Sequence, residues 1–312
     1  MEFTVKKIDV AELDCVYLSY DEPNKEENWS KIKNMVPWAN RIDGIKGSDA
    51  AHKAAAESAI TDRFILIDGD NLPDDNFFDL TLSIDDDSQD CVFRWKSRNT
   101  INGLMYGNGG ISCWTKDFIQ NMNTHENTDG KPENDVEFCF YPNYIAMYDC
   151  YSTTYPNASP YQAWRAGFRE GVKMCLDRGK KLSLAEFKDK VNSRNFDHLT
   201  IWQNVGRDVE NGIYSILGAR MGTYMLMLNP AWDYKEVQNF DALRTIYDTI
   251  ASSNPEQVAA RIAPDLINQL DLPITMLDET ASKFFKQHYR SQWHNKGIMI
   301  REMDVIRQQE GW

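Results

Sequence analysis

No run of about 18 apolar residues occurs in this 312-residue sequence, and its first residues, MEFTVKKIDVAEL, hold no apolar leader core. Neither a membrane span nor a signal peptide is expected, and the chain reads as soluble and intracellular. No C-x-x-C pair occurs among the six cysteines, Cys15, Cys91, Cys113, Cys139, Cys150 and Cys175. That argues against a zinc ribbon or a secreted disulfide framework and for reduced thiols. Internal repeats and low-complexity linkers are missing too. Disorder is excluded by what is present, since hydrophobic residues make up 42% and aromatics 12%. A chain of this length buries a large core, as one large domain or two smaller ones.

Net charge is -13 and unevenly spread. Residues 1–150 carry 14 Lys/Arg against 28 Asp/Glu, residues 151–232 carry 11 against 7, and residues 233–312 carry 9 against 12. The acidic first half would repel a polyanion, whereas the middle segment, with an excess of four cations, is the place for nucleic-acid contact if there is any. An acidic balance is equally that of a merely soluble protein.

The texture changes near residue 155. Before it, β-type runs at 13–20, 41–45 and 63–68 alternate with helix-like stretches at 25–35 and 48–60, the rhythm of a mainly parallel sheet. Further strands are expected at 91–97, 109–114 and 144–151. Afterwards helices are expected at 159–179, 183–192, 198–228, 240–252, 255–270 and 278–291. The first begins with Ser159 as N-cap and Pro160 at the first helical position, and ends at Gly179. A seam at 151–158 divides a domain of residues 1–154 from a helical domain of residues 155–312.

The segment RFILIDGDN, residues 63–71, ends an apolar run in two carboxylates, Asp68 and Asp70. Ligands of an open parallel sheet bind beyond the carboxyl ends of its strands. Alternate residues of an extended chain face one side, so the pair can converge, with Gly69 allowing close approach. Hard divalent cations such as magnesium or manganese commonly take one or two carboxylates plus substrate phosphates. A polar turn closing a strand has the same residues, and the order around the pair decides between the readings. Asp74 and Asp75, after Pro73, read as the start of the next helix, and IDDDSQD, residues 84–90, as a solvated loop.

That order, a first strand running into SYDEPN, an Ala-rich helix AAHKAAAE, the D-x-D motif, YGNGGISCW and ENDVEF, resembles the glycosyltransferase A-type fold (GT-A) over roughly residues 13–150. It is most similar to family 2-like nucleotide-sugar transferases. The resemblance implies an α/β fold, a mainly parallel Rossmann-like sheet followed by a C-terminal α-helical region. It implies a nucleotide-sugar donor, such as a UDP-sugar, held by Ser19, Tyr20, Asp21 and Glu22, with His52 and Lys53 on the helix and Asp68, Gly109 and Gly110. Manganese or magnesium would be held by Asp68 and Asp70, while Asp135 or Glu137 would supply the base, and Asn108 and Trp114 would meet the acceptor. Each has a plainer alternative. His52 and Lys53 also fit a solvated helix face, YGNGG an ordinary glycine turn, Trp114 a core position, and ENDVEF a helix start. His125 lies in a polar stretch, and for a third metal ligand the end of the domain offers Asp149 but no histidine.

The longer segments SYDEPNKEENW, TTYPNASPYQAWRAGFREGVKM and GRDVENGIYSILGARMG are similar to proteins of tailed bacteriophages, among them glycosyltransferases associated with modified phage DNA. This resemblance implies glucosyl or arabinosyl transfer to 5-hydroxymethylcytosine in the cytoplasm of an infected bacterium, with Arg165, Arg169 and Lys173 against the phosphate backbone. Saccharide, protein or lipid-linked acceptors, and a nucleotidyltransferase, are the alternatives. The sugar and the oligomeric state are not readable.

Overall fold

The computed structural model describes residues 5–122, 124 and 143–289. The N-terminal half opens with β1 (Lys6–Asp9), β2 (Asp14–Ser19), α1 (Lys25–Met35), β3 (Asn40–Asp43), α2 (Ser48–Ser58) and β4 (Arg63–Asp68). It continues with β5 (Asn71–Pro73), β6 (Thr81–Ile84), β7 (Val92–Asn99), β8 (Met105–Thr115), α3 (Lys116–Asn121) and β9 (Tyr144–Thr154).

Phe64, Ile65, Leu66 and Ile67 are apolar at consecutive positions, so β4 needs cover on both faces. It lies inside a seven-stranded sheet of order β3-β2-β4-β8-β7-β9-β5. Five strands run one way; β8 and β5 oppose them. On one face Cys15, Tyr17, Ile65, Ile67, Phe93, Trp95 and Ile111 pack with Ile32 and Val36 from α1 and its end. On the other, Val16, Phe64, Leu66, Val92 and Trp114 pack under α2 and α3. Each large buried side chain contributes about 1.5–3 kcal/mol of apolar transfer. Register brings the carboxyl ends of three strands to one edge, with Ser19 opposite Asp43 and Leu18 opposite Asp68. The expected α/β class, a GT-A-like mainly parallel sheet followed by C-terminal helices, is the observed one.

The helical region comprises α4 (Pro160–Lys173), α5 (Leu184–Lys190), α6 (Ser193–Trp202), α7 (Gly212–Leu228), α8 (Phe240–Ile246), α9 (Pro255–Leu270) and α10 (Glu279–His288). The α4 cap is as expected, with the Gln162 amide donating to Ser159 Oγ at 3.2 Å. Its end is not. The helix stops at Lys173, and Arg178 and Gly179, at φ 48° and 77°, form the turn of a small hairpin that pairs Leu176–Asp177 with Lys180–Lys181. Two central residues of positive φ are what a tight hairpin turn requires, so Gly179 serves that turn and not a helix end. The stretch 198–228 is likewise two helices, broken where Gly206 adopts φ 144°. The antiparallel pairing of β1 with β6, distant in sequence, was not expected from the sequence. Among the described residues no helix is long and apolar enough to cross a membrane.

Candidate active site

The turn after β4 is clamped from several sides. Two buried donors, Tyr17 Oη at 2.6 Å and Asn28 Nδ2 at 3.0 Å, share the Gly69 carbonyl. The Tyr155 amide donates to the Asp70 carbonyl at 2.7 Å. Asn71 is fully buried against β8, where a Cβ on Gly110 would fall 2.1 Å from Asn71 Nδ2. A Cβ on Gly69 would fall 2.5 Å from Glu22 Oε2, so the glycine lets the Glu22 carboxylate lie against the turn. Backbone fixed this firmly presents Asp68 and Asp70 in a preorganised position.

Their electrostatics differ from those of other carboxylates in the chain. Asp43 is held below the ordinary value: burial raises it, but bonds from Lys25 and Ser19 and the charge of Arg41 outweigh that. Asp68 is pushed up to about 6 by desolvation, although its side chain keeps solvent access. The two observations agree if surrounding protein thins the water about the carboxylate without closing it off. Asp70 is pushed up to about 7 by desolvation first, then by the charges of Asp68 and Glu22, with Arg165 pulling the other way. Glu22 is also raised, mainly by burial. Neither Asp68 nor Asp70 has an ion-pair partner among the described residues.

Oxygen-only donors, crowded negative charge and no cation in contact fit a hard divalent ion. Among the described residues no group of three or more His, Cys, Asp or Glu side chains comes together as a metal-binding set. A cation on Asp68 and Asp70 would therefore complete its shell from water and phosphate, as magnesium and manganese do. Asp149 stands elsewhere, its charge felt by Lys96 on β7.

The loop after β2 lines the same edge. The Tyr20 amide donates to Glu22 Oε2 at 2.7 Å. Asp21 accepts two bonds from Arg165 of α4, at 3.0 and 3.2 Å. Ser19 is buried and donates to Asp43 Oδ1 at 2.7 Å, while Lys25 Nζ donates to the same carboxylate at 2.8 Å. Arg41 donates from Nε to Ser19 Oγ at 3.1 Å and grips Glu26 with both terminal nitrogens. Sequence reading missed Tyr17, Lys25, Asn28, Arg41 and Asp43; an aspartate closing the strand RID was the one signal for any of them.

Other expected site residues lie differently. His52 Nδ1 is 2.8 Å from the Ser48 carbonyl, its ring packs edge-on to Trp114, and Lys53 pairs with Asp49 at 2.7 Å; neither contacts the Asp68–Asp70 turn among these interactions. Gly109 and Asn108 belong to β8, next to Gly110. Trp114 is corrected: only 1% exposed and packed beneath α2 and α3, it is a core residue and offers no platform to an acceptor. Asp135 and Glu137 lie outside the described residues, as does His125.

The open basic face expected from Arg165, Arg169 and Lys173 is corrected as well. Arg165 is 12% exposed, bonded to Asp21 and stacked 4.5 Å from the Phe240 ring. Arg169 donates to Gln238 at 3.2 Å and stacks on Phe240 too, and Lys173 lies 3.6 Å from Glu170. Each cation is spent within the fold, Arg165 close enough for its charge to act on Asp70.

No family model matches the chain, and no curated protein matches it. Among solved structures the chain is similar to the mannosyltransferase PcManGT from Pyrobaculum calidifontis, in complex with GDP-Man and Mn2+. Identity is 12% and the TM-score 0.34, covering 82% of this chain and 86% of that one.

Proposed function

We propose that this protein is a metal-dependent glycosyltransferase that moves a sugar from a nucleotide-sugar donor to a hydroxyl acceptor. One observation carries the reading: two carboxylates without ion-pair partners, Asp68 and Asp70, are raised by desolvation, Asp70 also by the charges of Asp68 and Glu22, and are held by a clamped turn at the carboxyl end of β4, which runs parallel to β2. That is where α/β sheets bind ligands, and it is a charge deficit that a divalent ion with a diphosphate relieves. When bound, the metal supplies positive charge against the leaving diphosphate. Asp68 and Asp70 hold it. Ser19, Tyr20, Asp21 and Glu22 enclose the nucleoside side, with Asp21 oriented by Arg165. Gly69 and Gly110 keep the floor of the cleft low. Asp135, or alternatively Glu137, takes the proton from the acceptor hydroxyl. Residues 1–154 form the donor-binding unit and residues 155–312 the helical unit against it.

The acceptor we propose is the hydroxymethyl group of 5-hydroxymethylcytosine in DNA, on the strength of the similarity to phage enzymes, in the cytoplasm of the infected host. The test is incubation with manganese, a panel of nucleotide sugars and DNA with or without that base, followed by mass spectrometry of the nucleosides. Sugar mass appears only on the hydroxymethylated base. Asp70→Asn lowers turnover at least about 100-fold, the scale of a lost contact to developing charge. If every donor stays intact with every acceptor, including simple saccharides, the transferase reading fails.

A further inference from the structure

The segment VFRWKSRN of β7 alternates strictly. Phe93, Trp95 and Ser97 are buried, whereas Arg94 and Lys96 are partly open and Arg98 is exposed, so the three cations share one face of the strand. Arg194, near the start of α6, is exposed, and its charge is felt at Lys96. Tyr148 on the neighbouring strand β9 is 66% exposed, and Lys96 Nζ lies 5.7 Å from its ring centroid. Asp149 is the carboxylate nearest in effect to Lys96, yet no ion pair forms among the described residues for Lys96, Arg98 or Arg194. Nearer the β2–β4 edge, by contrast, Lys25, Arg41, Lys53 and Arg165 are all paired.

The row also leads somewhere. Arg98 pairs in register with Thr153 of β9, and two residues on, the Tyr155 amide holds the Asp70 carbonyl. Tyr148 and Tyr155, itself 37% exposed, flank the last part of β9, whose register against β7 shifts between Arg94 and Lys96 and again between Lys96 and Arg98. Open cations beside open aromatic rings are the combination that takes single-stranded nucleic acid, by charge along the backbone and by stacking of bases.

We propose that Lys96, Arg98 and Arg194, with Tyr148, form the docking surface for the phosphate backbone of a nucleic-acid strand, delivered along β9 to the Asp68–Asp70 cleft. The proposal rests on the DNA-acceptor reading, and gives that reading the phosphate contacts that Arg165, Arg169 and Lys173 do not provide.

The experiment is fluorescence anisotropy of a labelled single-stranded DNA between about 50 mM and about 200 mM salt. The full chain is compared with the triple variant Lys96→Gln/Arg98→Gln/Arg194→Gln and with Lys6→Gln/Lys7→Gln, exposed cations on β1. The triple variant is expected to bind at least about tenfold more weakly, with a salt slope shallower by about two, near 0.7 per lost single-strand phosphate contact. The control keeps wild-type values. Should the triple variant lose its thermal transition, the three single variants carry the test, each expected to cost about 0.7 of slope. The surface is overturned by equal binding of wild type and variants, by no binding of the wild type at the lowest salt, or by a heparin complex without a DNA complex. Sugar transfer is followed in parallel. Transfer to DNA that the triple variant leaves intact sinks this surface and spares the transferase, whereas salt-sensitive DNA binding with no transfer from any donor does the reverse.

Discussion

Asp70→Asn is expected to lower turnover at least about 100-fold and, without metal, to make the protein more stable. Asp70 titrates near 7 in the fold against an ordinary 3.8. Between those values the folded chain holds a proton that the unfolded chain has released, so the contribution of Asp70 to stability falls as pH rises from about 4 to about 7 and stays low above. An amide has no such charge to desolvate. In thermal melts without metal, the variant should come closest to the wild type near pH 4 and melt increasingly higher than it up to about pH 7 and beyond. Manganese should then raise the melting temperature of the wild type and leave that of the variant unmoved. A ligand carboxylate must be deprotonated to bind metal, so manganese affinity should climb with pH through 6 to 7. A variant that melts lower at pH 8 would mean that the Asp70 charge is satisfied within the fold. The place of the pair at a strand's carboxyl end was legible in the sequence because the apolar run stops there. Asp43, Arg41 and Lys25 were not, since their network exists only once β2 and β3 lie in register. Trp114 was expected at the acceptor from the resemblance alone, and of the two readings open to it the core position holds, since pairing with Phe64 turns the indole inward.

Elements bounded by their own chemistry were readable to the residue. The strand 63–68 stops at its carboxylates, and α9 starts at Pro255, which sets φ and lacks only an amide that needs no partner there. The breaks at Lys173 and at Gly206 arise from packing between elements, which no local pattern announces. The crossing of α4 and α7 is the clearest case. Gly167 and Gly171 on one helix and Gly218 and Gly222 on the other form reciprocal small-xxx-small pairs. A Cβ at Gly167 would fall 2.0 Å from the Ser215 carbonyl, one at Gly171 2.2 Å from that of Ala219. At Gly218 it would fall 2.1 Å from the Trp164 carbonyl, and at Gly222 2.1 Å from that of Phe168. Backbone meets backbone, so no side chain can yield. Alanine normally favours a helix over glycine by about 1 kcal/mol, but here it must separate the helices. Gly218→Ala is expected to destabilise by on the order of 3 kcal/mol, seen as a lower urea midpoint. A midpoint equal to or above wild type would show that the two helices do not touch.

Across the whole molecule, the seam that composition suggests near residue 155 does not separate the cores. One apolar cluster lies among the C-terminal helices and two flank the sheet, but a fourth joins them. Ile101 and Leu104, in the connection from β7 to β8, are buried against Ile201, Trp202, Val205 and Ala219 of the helical region. Lys286 ties the same connection down, donating to the Thr100 carbonyl at 3.3 Å while paired with Asp208 at 2.6 Å. Tyr106 of β8 donates to Glu170 of α4 and accepts from Trp202 Nε1 at 2.7 Å. With the Asp21–Arg165 pair at the cleft, separating the halves would expose apolar surface and leave several polar groups without partners, so neither half gains by unfolding alone. Calorimetry of the full chain without metal should therefore show one endotherm. Ile101→Ala, which empties a fully buried site at the shared cluster, should shift that endotherm down as a unit, by the 2–5 kcal/mol typical of such truncations. Two resolved transitions, with Ile101→Ala moving one of them, would mean that the helical region is a separate body docked on the sheet. The Arg165 grip on the donor loop would then be an adjustable contact between bodies and not part of a fixed active-site wall.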